Sequence, residues 1–237
     1  TGTVDANDTF DATNGTITFS GAGNLRLAST VTDLGTLSGD GTVTYDGAGD
    51  QTIVADDYYS LTAGGGSGTK IFAGTVTVAD DLTINADVTI AMDSYDLTVT
   101  GAANIVGTLT VAANTLTLNG ASDVDGTITV STGTVDANGT FDATGGTITI
   151  TGAGNLNLEG VVTSLGALSD GAGTVTYDAN GDQTILKDDY YSLIAGGGAG
   201  IKTLADTVNV AGDFTTDASV TTAMGAKNLT VAGLTDI

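Results

Sequence analysis

Along most of the chain, aliphatic residues alternate with threonine in runs of three to five, and each run closes on glycine, asparagine or aspartate. LTVTG from Leu97, LTLNG from Leu116 and VDANG from Val135 follow one another at nineteen-residue steps, and LNLEG from Leu156 and VTYDA from Val175 continue the series. Between them lies a second series, GTLTV from Gly107, GTITV from Gly126 and GTITI from Gly146, spaced by nineteen and twenty residues. Alternation with period two sends the aliphatics to one face of a strand and the threonines to the other. Two such strands per nineteen or twenty residues predict the coils of an all-β parallel β-solenoid (β-helix), in which equivalent strands of successive coils pair in parallel. Leu97, Leu116 and Val135 should then stack in one interior column, and Leu109, Ile128 and Ile148 in another.

A longer period lies over the short one. Residues 1–20 (TGTVDANDTFDATNGTITFS) return at 132–151 (TGTVDANGTFDATGGTITIT) with sixteen of twenty unchanged. After a one-residue insertion, TYDGAGDQTI at 44–53 returns as TYDANGDQTI at 176–185, and DDYYSL at 56–61 returns unchanged at 188–193. Residues 1–131 thus form one copy and residues 132–237 a truncated second copy. Internal repetition of this kind marks architectures that grow along one axis and bury their core by stacking neighbours. Tandem β-sandwich domains are the alternative, since they also give short strands about eight to twelve residues apart. The nineteen-residue step from Leu116 to Val135 crosses the boundary between copies, so a continuous solenoid without a hinge at Ser131 and Thr132 is expected.

Composition narrows the class. Glutamate occurs once, at Glu159, and lysine plus arginine total five, so exposed-helix formers are nearly absent. Threonine, valine, isoleucine and tyrosine favour strands. With no proline, the turns must rest on glycine, asparagine and aspartate. The formal net charge of −23 argues against nucleic acid as a partner, because such binding needs a cationic surface that displaces counterions. Strong self-repulsion also opposes unspecific association. No stretch approaches the ~18 uninterrupted apolar residues of a spanning helix, so no membrane insertion is expected. The absence of cysteine rules out disulfides and thiolate metal sites. The chain opens on Thr1 without methionine or a basic leader, which fits an exported protein or part of a longer chain.

Candidate chemistry is sparse. Without histidine or cysteine, a Ser-His-Asp or Cys-His arrangement is impossible. Carboxylate pairs such as Asp56/Asp57, Asp188/Asp189 and Asp80/Asp81 could serve a glycosidase, but their faithful duplication fits turn-capping better, and no enzyme is expected. Asp178, Asn180 and Asp182 have the D-x-N-x-D opening of a calcium loop, although Gln183 follows where glycine would, and copy one has Ala48 in place of Asn180. Calcium is the one cofactor they suggest, and turn chemistry is the preferred explanation of these positions. The pairs Thr108/Thr110, Thr127/Thr129 and Thr147/Thr149 could form a flat hydroxyl lattice of the kind ice-binding solenoids use. Tyr58, Tyr59, Tyr190 and Tyr191 could stack on sugars, with one of each adjacent pair pointing inward. Lys70 and Lys202 read as exposed partners of nearby aspartates.

The stretch at 44–84 (TYDGAGDQTIVADDYYSLTAGGGSGTKIFAGTVTVADDLTI) and its second version at 176–216 resemble the Gln-Thr-Ile, Tyr-Tyr-x-Leu, Gly-rich, Lys-then-Val-Thr-Val modules of large secreted bacterial β-strand-repeat proteins. Those are similar to filamentous-haemagglutinin-like and autotransporter-type β-solenoid adhesins. The resemblance implies export and display at the cell surface, and it carries no catalytic residues. Two functions follow as expectations. One is a self-assembling structural subunit of an extracellular filament or surface layer, joined head-to-tail through uncapped ends at Thr1, Gly2, Thr3, Val4 and Asp5 and at Leu229, Thr230, Val231 and Ile237. The other is an adhesin stalk or a segment that binds surface glycans.

Overall fold

The computed structural model describes residues 2–237; among them are 36 strands and no helix. Every strand pair is parallel, and each strand bonds to the strand three places before or after it in the chain. The chain therefore winds as a three-sided β-solenoid of about twelve coils. One coil can be followed through Leu97–Val99, Ala103–Ile105 and Thr108–Val111, one strand per side, before Thr115–Leu118 returns to the first of these sides one step along the axis.

Three strands per coil, where the alternation predicts two, is the main correction to the sequence reading. The third strand is short and weakly marked, as in Ala103–Ile105 and Ser122–Val124. Its leading inward residue is a small Ala103 or Ser122, and its outward residue is Asn104 or Asp123. Small inward and polar outward residues resemble a turn in sequence, yet the ladder bonds form because the neighbouring coils have strands at the same place.

Inside the rod the predicted columns are present. Leu97, Leu116 and Val135 are register partners with no exposed surface, and the column runs on through Leu156, Val175, Leu193 and Phe214. Leu109, Ile128 and Ile148 form the second column. Burial at ~25 cal/mol per Å² of apolar surface, repeated in every coil, is the main stabilising term. The ladder passes through the boundary between copies: Ser131 and Thr132 donate backbone hydrogen bonds to Val111 and Ala112 at 3.0 and 2.9 Å.

The two copies do not face the same way. Copy one contributes twenty strands, up to Thr127–Val130, which at three per coil is six coils and two strands over. Thr3–Ala6 of copy one lies on the side that also carries Ser60–Ala63, whereas its equivalent Thr134–Ala137 lies on the side of Thr115–Leu118. Copy two is therefore turned by about a third of a revolution about the rod axis. At ~4.8 Å per coil, equivalent residues lie roughly 30 Å apart along the axis.

Candidate functional site

Two of the three ladders break once in each copy. In copy one the breaks fall between Val31–Asp33 and Gln51–Ile53, and between Thr36–Ser38 and Asp57–Tyr58. In copy two they fall between Val162–Ser164 and Gln183–Ile185, and between Ala167–Ser169 and Asp189–Tyr190. A broken ladder leaves backbone groups without partners in a buried setting, which is costly unless side chains replace them. The residues that repeat most faithfully between copies make that replacement.

At each break two buried tyrosines meet edge to face, with ring centroids 6.5 Å apart for Tyr45 and Tyr58 and 6.4 Å for Tyr177 and Tyr190. Their hydroxyls are 3.0 Å apart in both copies. The Tyr45 hydroxyl accepts the Val54 N–H, and the Tyr58 hydroxyl donates to the Val54 carbonyl at 2.7 Å; Leu186 receives the same treatment from Tyr177 and Tyr190. The tyrosine of each adjacent pair that points inward is Tyr58 or Tyr190, while Tyr59 and Tyr191 stay about 40% exposed, as alternation requires.

The second part of each plug is a glutamine and a lysine. Gln51 Nε2 donates to the carbonyls of Leu27 and Ser29 at 2.8 and 2.9 Å, and Gln183 Nε2 to those of Leu158 and Gly160 at 2.7 and 2.9 Å. Lys70 Nζ donates to Gly47 O, Gly49 O and Gln51 Oε1 at 2.7, 2.9 and 2.8 Å. Lys202 repeats this with Ala179 O, Gly181 O and Gln183 Oε1 at 2.7, 3.0 and 3.2 Å. Both lysines are fully buried, so the reading of them as exposed partners of aspartate is corrected. Each ammonium has three donors and finds three oxygens, two carbonyls of the turn and the side-chain oxygen of the glutamine. Burial lowers the pKa of each lysine, against an opposing pull from Asp46 and Asp50, or from Asp178 and Asp182.

The loop that reads as a calcium loop is the one that wraps Lys202. Asp182 Oδ1 accepts the Ile201 N–H at 2.8 Å, Asn180 is exposed, and one oxygen of Asp178 is buried with no hydrogen-bond partner. Among the described residues no three acidic side chains gather as a metal site would require. The loop carbonyls of Ala179 and Gly181 converge on the ammonium. In copy one the equivalent Asp46 pairs with Arg26 at 2.6 Å through one oxygen, and its other oxygen is likewise buried and unpartnered.

The aspartate pairs serve turns: Asp56 and Asp188 accept the N–H groups of Asp57 and Asp189, and Asp81 accepts that of Ala102. The threonine pairs lie in two outward columns, Thr108–Thr127–Thr147 flanked by Thr89 and Ala167, and Thr110–Thr129–Thr149 flanked by Ala91 and Ser169.

The residues assigned to junctions lie in the end coils. Thr3–Ala6 pairs only with Asn24–Leu27, and Leu229–Val231 only with Val208–Val210, so each leaves one backbone edge unpaired. Thr1 lies outside the described residues. Val4 is 62% exposed over an open cavity of about 360 Å³ lined by Phe10, Ile17 and Phe19, and at the other end Leu234 and Ile237 are 76% and 88% exposed.

The chain matches no known protein family, no curated protein and no solved structure.

The plugs also set how the rod responds to alkali. Burial raises Tyr45 and Tyr177 to about 12 and pushes Tyr58 and Tyr190 further up. A phenol whose folded pKa exceeds its unfolded value of ~10 contributes stability that is complete below pH ~10 and is lost as pH rises toward the folded value. Four of the seven tyrosines behave in this way. Titration followed by tyrosinate absorbance and circular dichroism is expected to show the buried four ionising only together with loss of β-structure between pH ~10 and ~12. Ionisation of these four with the strands intact would contradict the burial.

Proposed function

We propose that this chain is a structural element, a rigid acidic rod that extends end to end within an extracellular filament or surface layer. The observation that carries this reading is the character of the end coils. Each presents three strand edges and exposed apolar side chains over which no described segment folds; the first end carries Asp5, Asp11 and a register shift between Phe10 and Asp11, and the last carries Asp236. The last three strands, Val220–Ala223, Leu229–Val231 and Thr235–Asp236, occupy the same three sides in the same order as Thr3–Ala6, Phe10–Asp11 and Thr16–Thr18. A further coil, from a continuing chain or a second copy, would bond to them by strand addition. A contact of this head-to-tail kind does not close on itself and grows as a fibre. Acidic side chains along the sides oppose lateral clumping, so association is steered to the ends.

The resemblance of residues 44–84 and 176–216 to secreted bacterial repeat modules supports the extracellular setting and keeps an adhesin stalk as the second reading, favoured by the exposed Tyr59 and Tyr191. Neither reading requires a catalytic residue or a metal.

Sedimentation velocity over a concentration series tests the first reading. The 237-residue chain is expected to form concentration-dependent rods seen as uniform filaments in negative stain, and a Val4→Asp/Leu234→Asp variant to remain monomeric with unchanged circular dichroism. A monomer at high concentration, or filaments unaffected by the two charges, would count against it.

A further inference from the structure

On one side of the rod the ladder is bounded by a break at each end. Between the breaks it runs through seven strands, from Gln51–Ile53 to Ala167–Ser169, and its register partners follow one another without a shift. This ordered sheet therefore lies between the two plugs. Its outward face holds the two threonine columns, the first of which continues back through Thr89 to Thr69.

None of the outward residues of these seven strands is charged, and none is aromatic. The net charge of −23 makes that selective, because the other two sides carry charge at outward strand positions: Asp5, Arg26 and Asp123 on one, Asp57 and Asp136 on the other. Strand propensity favours threonine, but it does so on all three sides alike. The hydroxyls are also free. Among the described residues, none of the six in the paired columns bonds within the chain, whereas those of Thr13, Thr44 and Thr77 are each taken by a neighbouring side chain.

Threonine is restricted at χ1, so each position offers one methyl and one hydroxyl in a fixed orientation. Strands ~4.8 Å apart, with outward residues ~6.6 Å apart along each strand, repeat that pair on a two-dimensional grid. Methyl groups order the water beside them, and unclaimed hydroxyls anchor that water by hydrogen bonds. Water held on such a grid approaches the spacing of oxygen rows on an ice surface. Other occupants fit less well. Ions and nucleic acid require charge, and stacking on sugar rings requires an aromatic face. A second copy would cover roughly 30 Å by 10 Å, about 300 Å², against about 800 Å² per partner in a stable interface. The exposed Asp93 and Asp125 in the flanking turns would also meet their like.

We propose that this side of the rod, from Thr69 to Thr149, is an ice-binding face. Its threonine grid holds water in the arrangement of the ice lattice and so adsorbs the rod to a growing crystal. The face lies along the rod, away from both ends, and acts the same way in a monomer and in a filament.

Ice-affinity partitioning of the 237-residue chain is the test, run beside the Val4→Asp/Leu234→Asp variant so that filament formation and ice adsorption are read separately. Both proteins are expected to enter slowly growing ice from which serum albumin is excluded, and to facet single ice crystals. Thr127→Tyr places a ring at the centre of the grid and should abolish both effects with circular dichroism unchanged. Thr117→Tyr, at an outward position on another side, should keep them. If Thr127→Tyr fails to fold, Thr149→Lys takes its place with the same loss expected. Exclusion of the wild-type chain from ice would overturn the proposal, as would a Thr127→Tyr variant that still shapes crystals or an equal loss in Thr117→Tyr. A change in sedimentation by Thr127→Tyr without any ice adsorption by the wild type would assign the face to contact between copies and overturn it as well.

Discussion

A Leu116→Asp variant is expected to lose the cooperative melt of the central coils. Leu116 is fully buried between Leu97 and Val135, so the carboxylate would enter a column of aliphatic side chains with no donor in reach. An unpaired buried charge costs several kcal/mol, about 4 or more, which is a large share of the stability of a single domain. Because each coil contacts only its neighbours, the damage should start locally and spread along the axis. Hydrogen exchange should show lost protection at residues 97–137 first. Thr98→Asp, on the outward side of the preceding coil, should change stability by only about 0.5 kcal/mol. A Leu116→Asp protein melting within a degree or two of wild type would show that the column is misassigned.

The second large effect is expected at Lys70. In Lys70→Met the stem is nearly preserved in volume, but Gly47 O and Gly49 O lose the ammonium donor, while Gln51 Oε1 keeps the Gly47 N–H. Each buried acceptor left unpaired costs about 1–3 kcal/mol, so for the two carbonyls a total of about 2 kcal/mol or more is expected. Lys202→Met should cost somewhat less, because its contacts to Gly181 O and Gln183 Oε1 are longer at 3.0 and 3.2 Å. Lys227→Met, at an exposed lysine that reaches only Ala205 O, is the control and should stay within about 0.5 kcal/mol of wild type. Chemical denaturation of the three variants ranks them. Equal, negligible losses at Lys70 and Lys227 would mean that the ammonium does not fill the ladder break.

The same residues show why the glycine-rich turns are specific. A Cβ on Gly65, which has φ +87°, would stand 1.7 Å from the Asp46 carbonyl, and one on Gly197 (φ +89°) would stand 2.1 Å from that of Asp178. The turn of one coil thus lies directly on the backbone of the coil before it. This fixes the carbonyls that the lysines meet, and glycine is the residue that tolerates both the contact and the left-handed backbone.

What the sequence determined by itself is whatever depends on local alternation and constant spacing. The alternation of threonine with Leu97, Leu116 and Val135 specified strands with one inward face, and the unbroken step through Ser131 and Thr132 specified one continuous stack. The same alternation required one tyrosine of each adjacent pair to point inward, and the structure showed which, Tyr58 and Tyr190. What depends on closure of the coil was decided only by the tertiary structure. The number of strands per coil was hidden because Ala103, Ser122 and Asp123 read as turn residues until neighbouring coils supply ladder partners. The rotation between copies follows from twenty strands wound three to a coil, a count that exists only once the third side does. Lys70 and Lys202 look like surface charges in a chain so rich in aspartate. They are buried because two ladders break beside them and leave carbonyl oxygens unpaired, and an ammonium with three donors satisfies those oxygens where water is excluded.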